Sequence, residues 1–243
     1  MKCWTDFHVA LTFLTPLGRA RITDNAAISR SMAMYPLVGG VIGVCLALAA
    51  LLPVSSSVLA WGLVFLNIIL TRGLHWDGWA DLWDGWGSGQ HGQRFWEIVK
   101  DSRIGAFGVM GLILGIGAQG ALFGQAIDGR NVAVLIFASI FGRLCCLTLA
   151  RLGRNLTRPG LGMNAIQGAD RRALLIGMGT TALLLPAIPL LHLAASLLLA
   201  APAIWFLLRL AGRQNGINGD FLGAAIVAGE ICALLPLACT YFT

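Results

Sequence analysis

The sequence predicts an all-α fold, a polytopic integral membrane bundle of about seven transmembrane helices that forms one domain over residues 1–243. Three observations carry this expectation. Apolar residues make up 57% of the chain and charged residues only 12%, which suits lipid better than water. Uncharged runs of membrane-crossing length recur from Met34 onward. The 31 glycines allow the close helix contacts common within bilayers. Six cysteines without CxxC or Cys/His ligand spacing argue against disulfides and structural zinc, and read as small core residues.

In chain order, residues 1–33 hold only a short apolar run, Phe7 to Leu17, broken by Pro16. It is too short to cross and lacks a small-residue cleavage site, so an interfacial segment is expected and not a cleavable signal peptide. Met34–Leu52 is the first span. Val58–Thr71 returns and is expected to continue helically into an acidic stretch, Arg72–Gly105. Within that stretch Gly87–Gly92 reads as a loop and Arg94–Asp101 as a short amphipathic helix. Ile104–Ile127 is the next span, with Gly111/Gly115 and Gly120/Gly124 set for tight packing. Val132–Ala150 goes back with Arg143 inside it, and the basic segment Arg151–Arg172 reads as a loop. Ala173–Leu208 carries no charge and is interrupted by Pro186, Pro189 and Pro202. Phe221–Phe242 is the last span and holds Glu230.

Charge decides the topology. With a cytoplasmic N-terminus and two crossings over Ala173–Leu208, 15 of the 17 lysines and arginines lie on the cytoplasmic side. Seven spans follow, with the acidic stretch facing the cytoplasm and the C-terminus opposite. The net charge of +6 is then accounted for by topology, and no nucleic-acid partner is expected.

The chemistry is expected in Arg72–Gly105, which holds five of the 11 acidic residues. On a helix, Asp77, Asp81 and Asp84 fall within an arc of about 60°, opposite Trp76, Trp79, Trp83 and Trp86. Like charges at such spacing repel, and water or a divalent cation offsets this. Carboxylates at a membrane boundary with basic cytoplasmic loops point to Mg²⁺, which combines a few carboxylates with substrate phosphates. Asp101 adds a fourth carboxylate, while Lys100 and Arg103 offer phosphate contacts. Gly78 and Gly85 are expected to leave room for a bulky ligand. Arg143 and Glu230 are costly inside spans and match in depth, so they form either an ion pair or substrate contacts. His75 can orient a phosphate or relay a proton, although a lone histidine more often only donates a hydrogen bond.

These residues carry a family resemblance. Gly73–Gly85, reading GLHWDGWADLWDG, resembles the GGLHxDGLADxxDG signature of cobalamin synthases, the adenosylcobinamide-GDP ribazoletransferases. Lys100–Gly108 is similar to that family's KDSRIGxxG run. Phe13–Thr15, Tyr35–Gly39 and Asn218–Ala224 resemble its FLT, YPLVG and TGDxLGA elements. Departures are Arg72 in place of a glycine, tryptophans around the aspartates, and Asn218 in place of a threonine. The resemblance implies a Mg²⁺-dependent reaction joining adenosylcobinamide-GDP to α-ribazole or its 5′-phosphate, with release of GMP. It implies a multi-pass protein of the bacterial inner membrane. On that basis Asp77, Asp81, Asp84 and Asp101 are the expected metal ligands, Asp84 and His75 the expected catalytic groups, and Lys100, Arg103, Arg143, Asp220 and Glu230 the expected substrate contacts. Homo-oligomers and association with other cobalamin-assembly enzymes stay open. A cation or proton transporter and a phospholipid-headgroup phosphotransferase are the alternatives. The first expects acids near the midplane, and the second a motif order that this chain lacks.

Overall fold

The computed structural model describes residues 2–19, 24–160, 162–183 and 187–239, and among these it contains helices and no strand. α1 (Lys2–Leu14) stops before Pro16, whose ring cannot continue a helix. α2 (Asn25–Ser31) is capped by Asp24, which accepts from the Ala27 N–H at 2.7 Å. It leads through a 3₁₀ turn into α3 (Tyr35–Ala49). α4 (Ser56–Thr71), α5 (Leu74–Gly87) and α6 (Gly92–Val99) follow. α7 (Ala106–Asp128), which packs chiefly on α4 and α5, is joined by a short turn to α8 (Val132–Leu152). α9 (Met163–Gly168) and α10 (Arg171–Ala182) precede α11 (Leu190–Arg213) and α12 (Gly219–Leu234).

α8 is the central helix, with α3 on one side and α12 on the other. Gly39 and Gly43 bring α3 onto the α8 backbone at Ser139 and Ile136, and Gly142 meets Gly229 where α8 crosses α12. Small residues permit this approach, and the contact is dispersion over a large interface. Phe137, Phe141 and Phe221 are fully buried around these crossings. The outer faces carry Phe65, Ile113, Leu114, Leu198 and Trp205 exposed, an apolar perimeter that fits lipid.

Five helical runs are long and apolar enough to cross a membrane: residues 25–49, α7, α8, α11 and residues 219–238. Among the described residues each of the seven expected segments contains a helix, but α4 with 16 residues and α10 with 12 are short for single spans. α4 and α5 qualify only together, which makes six at most, so the count of seven is not reached by length and composition. Pro186, one of the three prolines expected to interrupt Ala173–Leu208, lies outside the described residues.

Other expectations are corrected. α5 does not continue α4; the two meet at 94°. Arg72 and Gly73 both adopt left-handed backbone, with φ of 53° and 67°, and these two consecutive residues turn the chain. The Arg72 guanidinium donates to the Thr12 and Phe13 carbonyls at 3.2 and 3.0 Å, closing the end of α1. We read α5, short and triply acidic, as the limb that leaves the span. The segment Arg151–Arg172 is not wholly a loop, because α9 buries Ala165 and Ile166. Cys3 and Cys239 are exposed, not core residues.

Candidate active site

α5 is held by the faces that its sequence alternates. Three of its tryptophans lie along α7: Trp83 covers Gly111, Trp76 and Trp79 cover Gly115, and Trp79 Nε1 donates to the Gly111 carbonyl at 2.9 Å, while Trp86 meets Phe206 of α11. The Gly111/Gly115 pair thus admits indole rings, with a backbone acceptor for one indole N–H. On another side Gly78 rests on the backbone of α12 at Asp220, where an added Cβ meets Asp220 Cα at 2.7 Å. Gly85 packs against Phe95 and Val99 of α6. Gly78 and Gly85 therefore serve packing within the protein, not the approach of a ligand.

The crossing at Gly78 builds a cleft of about 820 Å³. Asp77 and Asp81 line it from α5, Asp220 from the start of α12, and Lys100 and Asp101 from the turn after α6. Four carboxylates and one ammonium converge on a polar cavity open to the outside. Asp220 is positioned by Asn218, which caps α12 through the Phe221 N–H and donates to Asp220 Oδ2 at 2.6 Å. Desolvation, followed by repulsion from Asp220, Asp77 and Asp84, pushes the Asp81 carboxyl up to about 7. Asp101 is held the other way, lowered to about 2 by hydrogen bonds from the Arg103 side chain and backbone. Arg103 is spent on that bidentate pair and does not line the cleft.

Asp84 stands apart. Its two oxygens accept the Gly105 and Gly108 backbone N–H groups, each at 2.7 Å. These are the N-cap and third residues of α7, so the carboxylate caps a neighbouring helix and complements its dipole. It is 9% exposed and does not line the cleft. The expectation of Asp84 as metal ligand and base differs from this placement, because both oxygens already hold backbone donors. His75 is 4% exposed and faces away from the cleft, and burial, helped by the Arg143 charge, holds its imidazole well below its usual value and so neutral. Arg143 and Glu230 are also absent from the cleft wall. They pair with each other inside the bundle, where Glu230 also accepts from Asn67 at 3.1 Å and Gln119 at 2.9 Å. An ion pair this deep, with both carboxylate oxygens satisfied, leaves Glu230 no free acceptor for a substrate.

Spacing along one helix pointed to Asp77 and Asp81. The family resemblance counted Asp220 only as a substrate contact, since its place beside Asp77 and Asp81 depends on the α5–α12 crossing. Among the described residues no three His, Cys, Asp or Glu side chains converge closely enough to cage a metal by themselves. The donor set still fits Mg²⁺, which takes hard oxygen ligands and is ordinarily bound by one or two carboxylates plus substrate phosphates.

The chain is similar over residues 6–238 to the family model described as cobalamin-5-phosphate synthase. It is 43% identical to an adenosylcobinamide-GDP ribazoletransferase of Nitratidesulfovibrio vulgaris (strain Miyazaki F), over 96% of this chain and 94% of the relative. It is 34% identical to one of Syntrophobacter fumaroxidans, over 98% and 100%, and 32% identical to one of Clostridium botulinum (strain Loch Maree), over 96% of each. No solved structure matches the chain.

Proposed function

The chain belongs to the cobalamin-5-phosphate synthase family, whose members are enzymes of cobalamin synthesis, and we propose that its acidic cleft joins adenosylcobinamide-GDP to α-ribazole or α-ribazole 5′-phosphate with Mg²⁺ as cofactor. The observation that carries this reading is the meeting of Asp77, Asp81 and Asp220 with Lys100 in one open cavity. Such a cavity is suited to a pyrophosphate and a divalent cation, and ill suited to a hydrocarbon ligand.

A ribose hydroxyl attacks the phosphorus on the cobinamide side of the pyrophosphate. The new O–P bond forms as the bond to the GMP phosphate breaks, and the hydroxyl proton passes to a carboxylate. Phosphoryl transfer of this kind depends on positioning and charge neutralisation more than on covalent help. When bound, Mg²⁺ supplies Lewis-acid polarisation of the phosphoryl oxygens. Asp77 and Asp220 are the residues that would hold it, while Asp101 stands at the rim with both oxygens paired to Arg103. Asp81 is the proton acceptor, because its crowded, half-buried carboxylate has the strongest hold on a proton in the cleft. Lys100 meets the phosphate charge from the opposite wall. Asp84 contributes from outside the chemistry by fixing the turn that carries Lys100 and Asp101 to the start of α7.

The cytoplasmic orientation of the cleft is part of the same proposal and rests on the distribution of basic residues. A transporter reading is less well supported, since Glu230 is neutralised by Arg143 and Asp77, Asp81, Asp101 and Asp220 gather in a cleft at one end of the bundle. Purified protein given adenosylcobinamide-GDP, α-ribazole and Mg²⁺ is expected to release GMP. Chelation of the metal should stop release and Mg²⁺ should restore it. Release that is indifferent to chelation contradicts the metal assignment.

A further inference from the structure

A second cavity, of about 440 Å³, lies on the inner side of α5. It shares Arg72, Leu74, Asp77 and Asp220 with the acidic cleft as common wall, so the two chambers meet at the carboxylates. Away from that mouth its wall is largely apolar, with Phe13 and Leu14 of α1 and Leu222 and Ile226 of α12. Polar side chains interrupt it at Thr12, whose hydroxyl is spent on the His8 carbonyl of its own helix, and at Tyr35 and His75. Tyr35 begins α3 and is 1% exposed, and His75 on α5 is 4% exposed. The Tyr35 hydroxyl and His75 Nε2 are both buried and make no hydrogen bond. Nearly all buried polar groups are paired, and leaving one unpaired is costly. Two such atoms in the wall of one cavity mark a place where a ligand supplies the missing partners.

We infer that this inner chamber is the nucleoside subsite, which takes the benzimidazole riboside with its base against Tyr35 and His75 and its ribose at the Asp77–Asp220 mouth. The inference rests on the proposed ribazole transfer. Size separates the two substrates. A cavity of this volume is in the range that holds one small molecule, whereas a corrin carrying a guanine nucleotide is several times larger and is left to the open cleft. Polarity agrees with this. The base is a fused aromatic ring with a nitrogen acceptor, which suits an apolar wall with one hydroxyl donor. The ribose then presents a hydroxyl to the carboxylates where the phosphate is attacked. The wall also explains Arg72. Its guanidinium bridges to the Thr12 and Phe13 carbonyls and fastens α1 over the chamber.

The test uses the whole protein in lipid nanodiscs, titrated calorimetrically with α-ribazole and separately with adenosylcobinamide-GDP. Tyr35→Phe removes only an oxygen that lacks a partner in the free protein, so thermal unfolding should stay the same or rise slightly. Loss of one hydrogen bond should weaken α-ribazole binding about tenfold, with adenosylcobinamide-GDP binding unchanged. In turnover, KM for ribazole should rise while kcat holds. Gly219→Leu is the second variant. Gly219 lines the chamber and a Cβ there meets nothing within 4 Å, so a leucine has room to stand in the wall and should also weaken α-ribazole binding. A purely structural Tyr35 moves stability but not the ribazole KM. If wild type turns over both substrates but binds α-ribazole no more tightly than either variant, the subsite is overturned and the reaction stands. If wild type neither turns over nor binds α-ribazole, both are overturned.

Discussion

Two aspartates on the same face of α5, three residues apart, do different work. Asp81 lines the cleft, whereas Asp84 holds the first amides of α7. Helical spacing correctly put Asp77, Asp81 and Asp84 on one side. It could not say that the α7 N-terminus covers the far end of that face, because this depends on a contact with residues 105–108. Asp84→Asn keeps the size but replaces one acceptor with a donor, so one buried N–H loses its partner. A loss of roughly 1–3 kcal/mol is expected, read as a lower midpoint in thermal unfolding, and extra Mg²⁺ should not rescue activity. The Arg143–Glu230 pair was legible from the sequence, since matched depth and the cost of lone charges pointed to each other. Here Arg143→Met or Glu230→Gln alone should destabilise by about 3–5 kcal/mol, and the double variant by less. Additive losses of folded protein would argue against the coupling.

At the scale of elements, the corner between α4 and α5 is what sequence reading missed. Val58–Gly87 shows no proline, and its hydrophobic and aromatic residues read as continuous helix; the break lies in two backbone angles at Arg72 and Gly73. Gly73 has the φ that favours glycine, and Gly73→Ala should cost roughly 1 kcal/mol through the strain of a Cβ there. The turn also sets Asp77 over α12, so the same variant should lower GMP release while α3, α8 and α12 still pack. Denaturation and turnover measured together test this, and unchanged values in both would remove the corner from the account. The α7 glycines were legible as packing sites, but their partner was not, because glycine spacing does not distinguish a helix backbone from a row of indoles.

For the whole molecule, the helical membrane class followed from composition and the order of segments from apolar runs. The number of crossings did not, because α4 and α10 are helical but short, and their ends depend on packing that hydropathy does not record. Native cysteines offer a test of orientation. Cys239 should react with an impermeant thiol reagent in intact cells and Cys3 should not, both being exposed at opposite ends of the chain. The reverse pattern would turn the cleft away from the cytoplasm. The central claim is that the carboxylates meeting at the α5–α12 crossing hold the metal and move the proton, and that Asp84 does not. The direct measurement is GMP release across a Mg²⁺ titration for Asp77→Asn, Asp81→Asn, Asp220→Asn and Asp84→Asn, each first shown to be folded. The first three should fall by roughly a hundredfold or more, with Asp77→Asn and Asp220→Asn needing more Mg²⁺ to reach half their own maximum. Asp84→Asn should keep the wild-type Mg²⁺ dependence in whatever fraction remains folded. Wild-type rates in the three cleft variants, or a shifted Mg²⁺ requirement in Asp84→Asn alone, would contradict the account.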